Sequence, residues 1–279
     1  MLKICKLSIV LLLALALAAC AARGAAPTLG KERSARADEL YSEARHKLAM
    51  DDCEAGEALL VKAVKAGSPQ AAFALSHVYE RKYAENPSAP KAKEYKENAD
   101  RLLHEAAGGN YAPAQYSLAT RYKDGDFGPG QIQTAVDWYK RAALNGSSLA
   151  QFWLGYLYNL GEEVPLDYAE AAKWYQMAAD QGEQASINNL AIFYCWGQGV
   201  PQDWAKGIAL FESIKGTDSS DLWSYNLGVI RFWAPAPYGD KAAAVKAFRA
   251  TLGTNDGYAE SALGEAYAYG WGVKRDFKQ

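Results

Sequence analysis

Residues 149–184 read Leu149-AQFWLGYLYNLGEEVPLDYAEAAKWYQMAADQGE-Gln184, two helix-period stretches on either side of a Gly and Pro break. The spacing predicts a first helix from Leu149 to Asn159, with Phe152, Leu154, Gly155 and Tyr158 on one packing stripe. Gly155, without a side chain, lets a partner helix approach closely. After the turn Gly161–Pro165, Asp167 followed three residues later by Glu170 reads as a capping box. It opens a second helix whose Ala171, Trp174, Tyr175 and Ala178 share a face, and which stops before Gly182. The stretch is therefore an antiparallel helix pair, A then B.

The pair recurs. Leu75-Ser76, Leu118-Ala119, Leu154-Gly155, Leu190-Ala191, Leu227-Gly228 and Leu263-Gly264 follow one another at intervals of 43, 36, 36, 37 and 36 residues. A period in this range belongs to a stacked array, in which each unit buries its apolar face only against its neighbours. The motif A-x-x-x-L-G-x-x-Y followed by G-x-G-V-x-x-D-[YWF]-x-x-A is clearest at Leu190–Gly207 and Leu263–Phe277. These lines resemble the Sel-one-like repeats, relatives of the tetratricopeptide repeats. The resemblance is strong from Tyr111 to Phe277 and weaker from Ala35 to Asn110. It implies an all-α, right-handed α-solenoid of antiparallel helix pairs, about six to seven repeats of ~36 residues, over residues 38–279. Two units depart from the pattern. The first long interval carries the insertion Lys82–Pro90, and the Leu227 unit has Ala234-Pro-Ala-Pro-Tyr238 in place of the glycine turn. The last repeat reads as incomplete. Asp276-Phe-Lys-Gln279 is a helix start with no helix after it, so Leu263, Tyr267, Trp271 and Phe277 are expected to stay partly uncovered: either the sequence is cut short of its natural end, the favoured reading, or the open face is an interface that another molecule or a second copy completes.

The amino terminus carries a second signal. Lys3 and Lys6 precede an apolar run from Leu7 to Ala19, too short to span a bilayer comfortably, which ends in Leu17-Ala-Ala-Cys20. The arrangement looks like a bacterial lipobox. That resemblance implies a signal peptide over residues 1–19 and lipidation of Cys20, hence anchoring at the periplasmic face of the outer membrane, since Ala21 is not Asp. Residues 20–37, rich in Ala and Gly and without apolar helical spacing before Leu40, are expected to form a flexible tether with a reach on the order of 20–25 Å.

Composition narrows the function. The 30 Lys and Arg residues against 32 acidic ones give a net charge of −2. With no basic excess, nucleic acid is not an expected partner. Beyond Cys5 and Cys20 the chain has Cys53 and Cys195, about four repeats apart and far outside disulfide reach in a one-dimensional stack. Both are expected unpaired, each acting as a small buried hydrophobe. His46, His77 and His104 stand without metal-ligand spacing, and no nucleophile elbow or phosphate-binding loop is present, Gly197-Gln-Gly199 reading as the A-to-B turn. Neither metal nor cofactor is expected, and the chain does not read as an enzyme.

If helix A lines the concave side, as in the tetratricopeptide relatives, the residues two before, two after and five after each repeat leucine face a partner. That reasoning singles out Tyr116, Phe152, Tyr156, Asn159, Asn188, Tyr225 and Phe232. Aromatic and amide side chains suit a protein ligand, because Tyr joins a large contact area to a polar tip. The expected role is an envelope adaptor or scaffold engaging a protein partner. Alternatives are a periplasmic immunity protein neutralising a secreted effector such as a lipase, an exopolysaccharide export scaffold, or a cell-wall hydrolase or peptidoglycan ligand sensor.

Overall fold

A computed structural model describes residues 31–214, 220–253 and 257–276. The signal peptide, Cys20, the first part of the tether and Phe277 lie outside the described residues. Thirteen helices and no strand are found among the described residues. In chain order they are α1 (Lys31–Ala49), α2 (Cys53–Lys65), α3 (Pro69–Glu85), α4 (Ala92–Gly108), α5 (Ala112–Asp124), α6 (Ile132–Leu144), α7 (Ser148–Leu160), α8 (Tyr168–Ala179), α9 (Gln184–Trp196), α10 (Trp204–Ser213), α11 (Ser220–Trp233), α12 (Lys241–Ala250) and α13 (Tyr258–Tyr269). They divide into two compact units, residues 1–150 and 151–279.

The first unit is built on a core from α1 to α5: Leu40 and Leu48, Leu59 and Leu60, Leu75, Leu102 and Leu103, and Leu118. The expected tether boundary is corrected here, because α1 begins at Lys31 rather than after Ala37. The segment lacks an apolar stripe, yet Glu, Ala and Arg are good helix formers. Ala37 is already buried, and Arg36 pairs with Glu39 one turn on. The insertion Lys82–Pro90 lengthens the helices instead of forming a free loop: α3 and α4 have 17 residues each, against 13 each in α5 and α6. The longer helices carry a charged hub. The Arg121 guanidinium, with only 11 % of its side chain exposed, meets Asp100 at 2.6 Å, Glu80 at 3.0 Å and Asp126 at 3.0 Å. It also lies over the Phe127 ring. Burial works against the charge on both Arg121 and Glu80. Even so, the hydrogen bonds and opposite charges win, holding Arg121 above its usual value and Glu80 below its own.

In the second unit the repeat sequence explains each helix end. Asp167, Asp203 and Asp240 accept the backbone N–H three residues on, at 2.9 Å each, and so start α8, α10 and α12. The N–H of the same aspartates donates back to Tyr158, Tyr194 and Arg231, which fastens each helix B to the end of its helix A. The reciprocal half of the expected capping box is therefore not made: the Asp167 N–H is taken, and Glu170 pairs with Lys173. The Ala234–Tyr238 segment reaches the same closure by a different turn, with Asp240 N–H donating to Arg231 at 2.9 Å.

Helix pairs close around one aromatic ring of helix B. Tyr175, Phe211 and Phe248 are each almost wholly buried. An added Cβ at Gly155 would stand 2.6 Å from the Tyr175 ring, and one at Gly228 would stand 2.8 Å from Phe248. The glycine after the repeat leucine is thus the seat of that ring at Gly155, as the sequence indicates, and at Gly228. Burial pushes the Tyr175 phenol well above its ordinary value. Gly199 and Gly272, both at positive φ, lie so close to the first turn of the preceding helix B that a Cβ would overlap the carbonyl of Tyr168 or Lys241.

Candidate functional site: an exposed aromatic edge

Most of the residues the sequence assigns to partner contact are half-buried and close the helix pairs. Tyr116, in the first unit, packs on Tyr139, with ring centroids 5.9 Å apart. In the second unit Phe152 lies against Tyr175 and stacks beside Tyr156, and Tyr225 lies between Phe248 and Tyr258. Burial raises the Tyr225 phenol. Asn159 is half-buried at the end of α7. Asn188 departs most from expectation: it is 4 % exposed, donates to Asn189 and accepts from Asn226 of α11 at 2.9 Å. Its amide is an inter-repeat brace, because a polar group placed among packed helices needs a partner. Tyr156 is exposed, and Phe232 sits at the border of an exposed cluster.

The cysteines divide between the units. Cys195 is fully buried, with burial, then the charge of Asp203, pushing its thiol up to about 12. Cys53 is half-buried at the start of α2. Leu263, expected to be partly uncovered, is buried against α12, whereas Trp271 is only half-buried.

The row the sequence reading passes over lies one residue beyond its outermost row. Leu160, Trp196, Trp233 and Tyr269 each end a helix A of the second unit, six residues after the repeat leucine. They are 42, 45, 64 and 64 % exposed. Three of them directly precede a left-handed glycine, Gly161, Gly197 and Gly270. A residue before such a cap has no following turn to cover it. The signal was available as four large apolar residues recurring at 36, 37 and 36 residues, but a face pattern of two before, two after and five after the leucine skips the terminal position.

Toward the end of the row the rings join. Phe232 packs edge-on against both Trp233 and Trp271, with centroids 5.2 and 5.1 Å apart, and Trp271 stacks on Tyr269 at 4.7 Å. The Lys241 ammonium lies over Phe232 and Trp271 at 5.3 and 5.4 Å. Trp196 packs edge-on against Trp204, and Lys206 lies over Tyr194. Aromatic rings with a cation at the edge are suited to binding apolar and acidic groups. Among the described residues no group of three metal-ligating side chains occurs, and no helix is long and apolar enough to cross a membrane.

Stacked antiparallel helix pairs around a recurring leucine and a helix-B ring define an α-solenoid repeat protein. The Sel1 repeat model matches residues 112–147, 148–183, 184–213 and 257–279, so the chain carries Sel1 repeats. Among solved structures it is similar to a protective antigen of uropathogenic Escherichia coli displaying an SLR fold, with 27 % identity and a TM-score of 0.64 over 79 % of this chain and 46 % of that one. It is also similar to a Sel1 repeat protein from Oxalobacter formigenes, with 23 % identity and a TM-score of 0.59 over 85 % of this chain and 94 % of that one. The chain thus spans less than half the length of the antigen. No curated protein matches it significantly.

Proposed function

We propose that the chain is a non-catalytic envelope adaptor. In this reading the edge formed by Trp196, Phe232, Trp233, Tyr269 and Trp271 grips a protein partner, and a lipid on Cys20 holds the repeats at the periplasmic face of the outer membrane. Sel1 repeats are suited to protein–protein interaction, and the observation that carries the proposal is the exposure of four large apolar side chains at repeat spacing. Exposed large aromatics cluster in this way at contact surfaces, where truncating one anchor commonly costs ~2 kcal/mol or more. Lys241 and Lys206 at the rim favour a partner segment that carries acidic residues beside its apolar ones.

A photo-crosslinking residue placed at Trp233 or Tyr269 of the full chain in living cells tests the surface. A discrete adduct is expected from these positions and not from the exposed Glu54 of α2. Adducts equally abundant from Glu54, or none from the aromatic edge, would remove the assignment. Palmitate labelling tests the anchor separately. Cys20→Ser is expected to abolish the label and release the protein from the outer-membrane fraction, and retained label would refute lipidation at Cys20.

A further inference from the structure

One position before the buried helix-B aromatic, the repeats carry Trp138, Trp174, Leu210 and Ala247. In the first unit Trp138 packs against the core of α1 to α5, and in the second Leu210 packs against the cluster that α8 and α9 form. Alanine at 247 leaves that place vacant. A cavity of about 300 Å³ opens there between α10, α11 and α12, walled by Phe211, Trp223, Leu227, Ala243, Ala247 and Ala250, with Arg231 and Lys246 at its border.

Three features of this cavity point to a ligand. In the repeat register it lies at the position that carries an indole in two other repeats, and its volume is at the lower end for small-molecule pockets. Trp223, 9 % exposed, has a buried Nε1–H with no hydrogen-bond partner among the described residues. A buried donor of this kind gains from an acceptor. Finally, the cations are unequal. Arg231 is engaged by Glu212, whereas among the described residues no hydrogen bond or ion pair engages Lys246. An apolar slot bordered by one spare ammonium is complementary to an aromatic ring bearing one negative charge.

We propose that this cavity binds a small aromatic carboxylate, its ring between Phe211 and Trp223 and its carboxylate paired with Lys246. The site is separate from the aromatic edge at the ends of the A helices and stands independently of the adaptor reading. The probe is indole-3-propionate, titrated into the purified full chain by calorimetry, with indole-3-propionamide as the uncharged control. One saturable site with Kd below about 1 mM is expected, the range a ligand of this size reaches at ordinary efficiency.

Ala247→Leu, which installs the residue the neighbouring repeat already carries, should weaken binding more than 10-fold while circular dichroism stays unchanged. Lys246→Gln, at an exposed side chain with no packing role, should weaken the carboxylate about 5-fold and leave the amide unaffected. Failure to saturate at about 10 mM would overturn the proposal. So would wild-type affinity in Ala247→Leu, or equal affinity for acid and amide. If Ala247→Leu does not fold, the Lys246→Gln and amide comparisons decide alone.

Discussion

Replacing Gly155 by alanine is expected to destabilise the second unit, and the same replacement at Gly264 is expected to stabilise it. Both glycines follow a repeat leucine inside a helix A. A methyl at position 155 would lie 2.6 and 2.7 Å from two ring carbons of Tyr175, where carbon atoms prefer about 3.5–4.0 Å. The ring would have to withdraw by about 1 Å. It has no room: Tyr175 is fully buried, with Phe193 edge-on at 5.5 Å and Phe152 at 6.1 Å. Overpacking of this kind costs roughly 1–3 kcal/mol, and alanine in a helix returns up to about 1 kcal/mol of glycine's entropy. The net expectation is a loss of about 1–2 kcal/mol. At Gly264 an added Cβ meets nothing within 4 Å, so only the propensity gain of about 0.5–1 kcal/mol remains. Urea unfolding followed by far-ultraviolet dichroism and by tryptophan fluorescence measures both. The refuting result is a shift of the same sign in the two variants: close approach of the paired helices would then not be what fixes glycine at position 155.

Arg121→Leu leaves Asp100 and Glu80 without their shared cation and should cost about 1–2 kcal/mol, at the low end for a broken ion pair because both carboxylates keep some water; thermal unfolding of the first unit reads it. The folded state holds Glu80 below its ordinary carboxylate value, so its contribution is present above that ordinary value and lost as pH falls through the folded one. Melting temperature should therefore drop below about pH 4.5, and Glu80→Gln should flatten that slope. Asp203→Ala removes the cap that accepts Lys206 N–H and should cost about 1 kcal/mol, checked by urea titration. In a Cys53→Ser background the Cys195 thiol, pushed up to about 12, should resist a disulfide reagent at pH 8 until urea unfolds the second unit; rapid native labelling would contradict its burial.

Helix pairing, its period and the Asp-capped start of helix B are legible in the sequence because each is a local pattern. Leu154, Gly155 and Asp167 recur in register, and each does its work within one helix pair. The contact face is less legible. At the position two before the leucine, an aromatic can point to solvent or onto the helix-B ring, and Phe152 and Tyr225 do the latter because Tyr175 and Phe248 lie within reach. Asn188 looks like a polar surface residue until Asn226, one repeat on, is seen to supply its partner. The start of α1 at Lys31 escapes a reading based on apolar spacing because Arg36, Ala37 and Glu39 form helix by propensity and ion pairing. The cavity beside Ala247 is visible only when the repeats are set in register, because a missing indole leaves no local mark.

The position six residues after the repeat leucine differs between the units, and the difference bears on where a partner is gripped. In the first unit it is Arg81, paired with Glu85, and Asp124, paired with Lys123. In the second it is Leu160, Trp196, Trp233 and Tyr269. Fold stability does not require apolar residues there, since charged ones serve the same position and about half of each side chain is in water. An exposed tryptophan at a place where an arginine suffices points to use outside the chain. Converting the second unit to the pattern of the first, with Trp196→Arg and Trp233→Asp together, should lower the unfolding free energy by no more than about 1–2 kcal/mol, the ring contacts with Trp204 and Phe232 being lost while the helix pairs keep their buried core. The same double change should abolish the crosslinked adduct formed from Tyr269, since it replaces two anchors and puts Asp beside Phe232. Stability lost without loss of the adduct would mean that Trp196 and Trp233 brace the repeats and do not grip the partner.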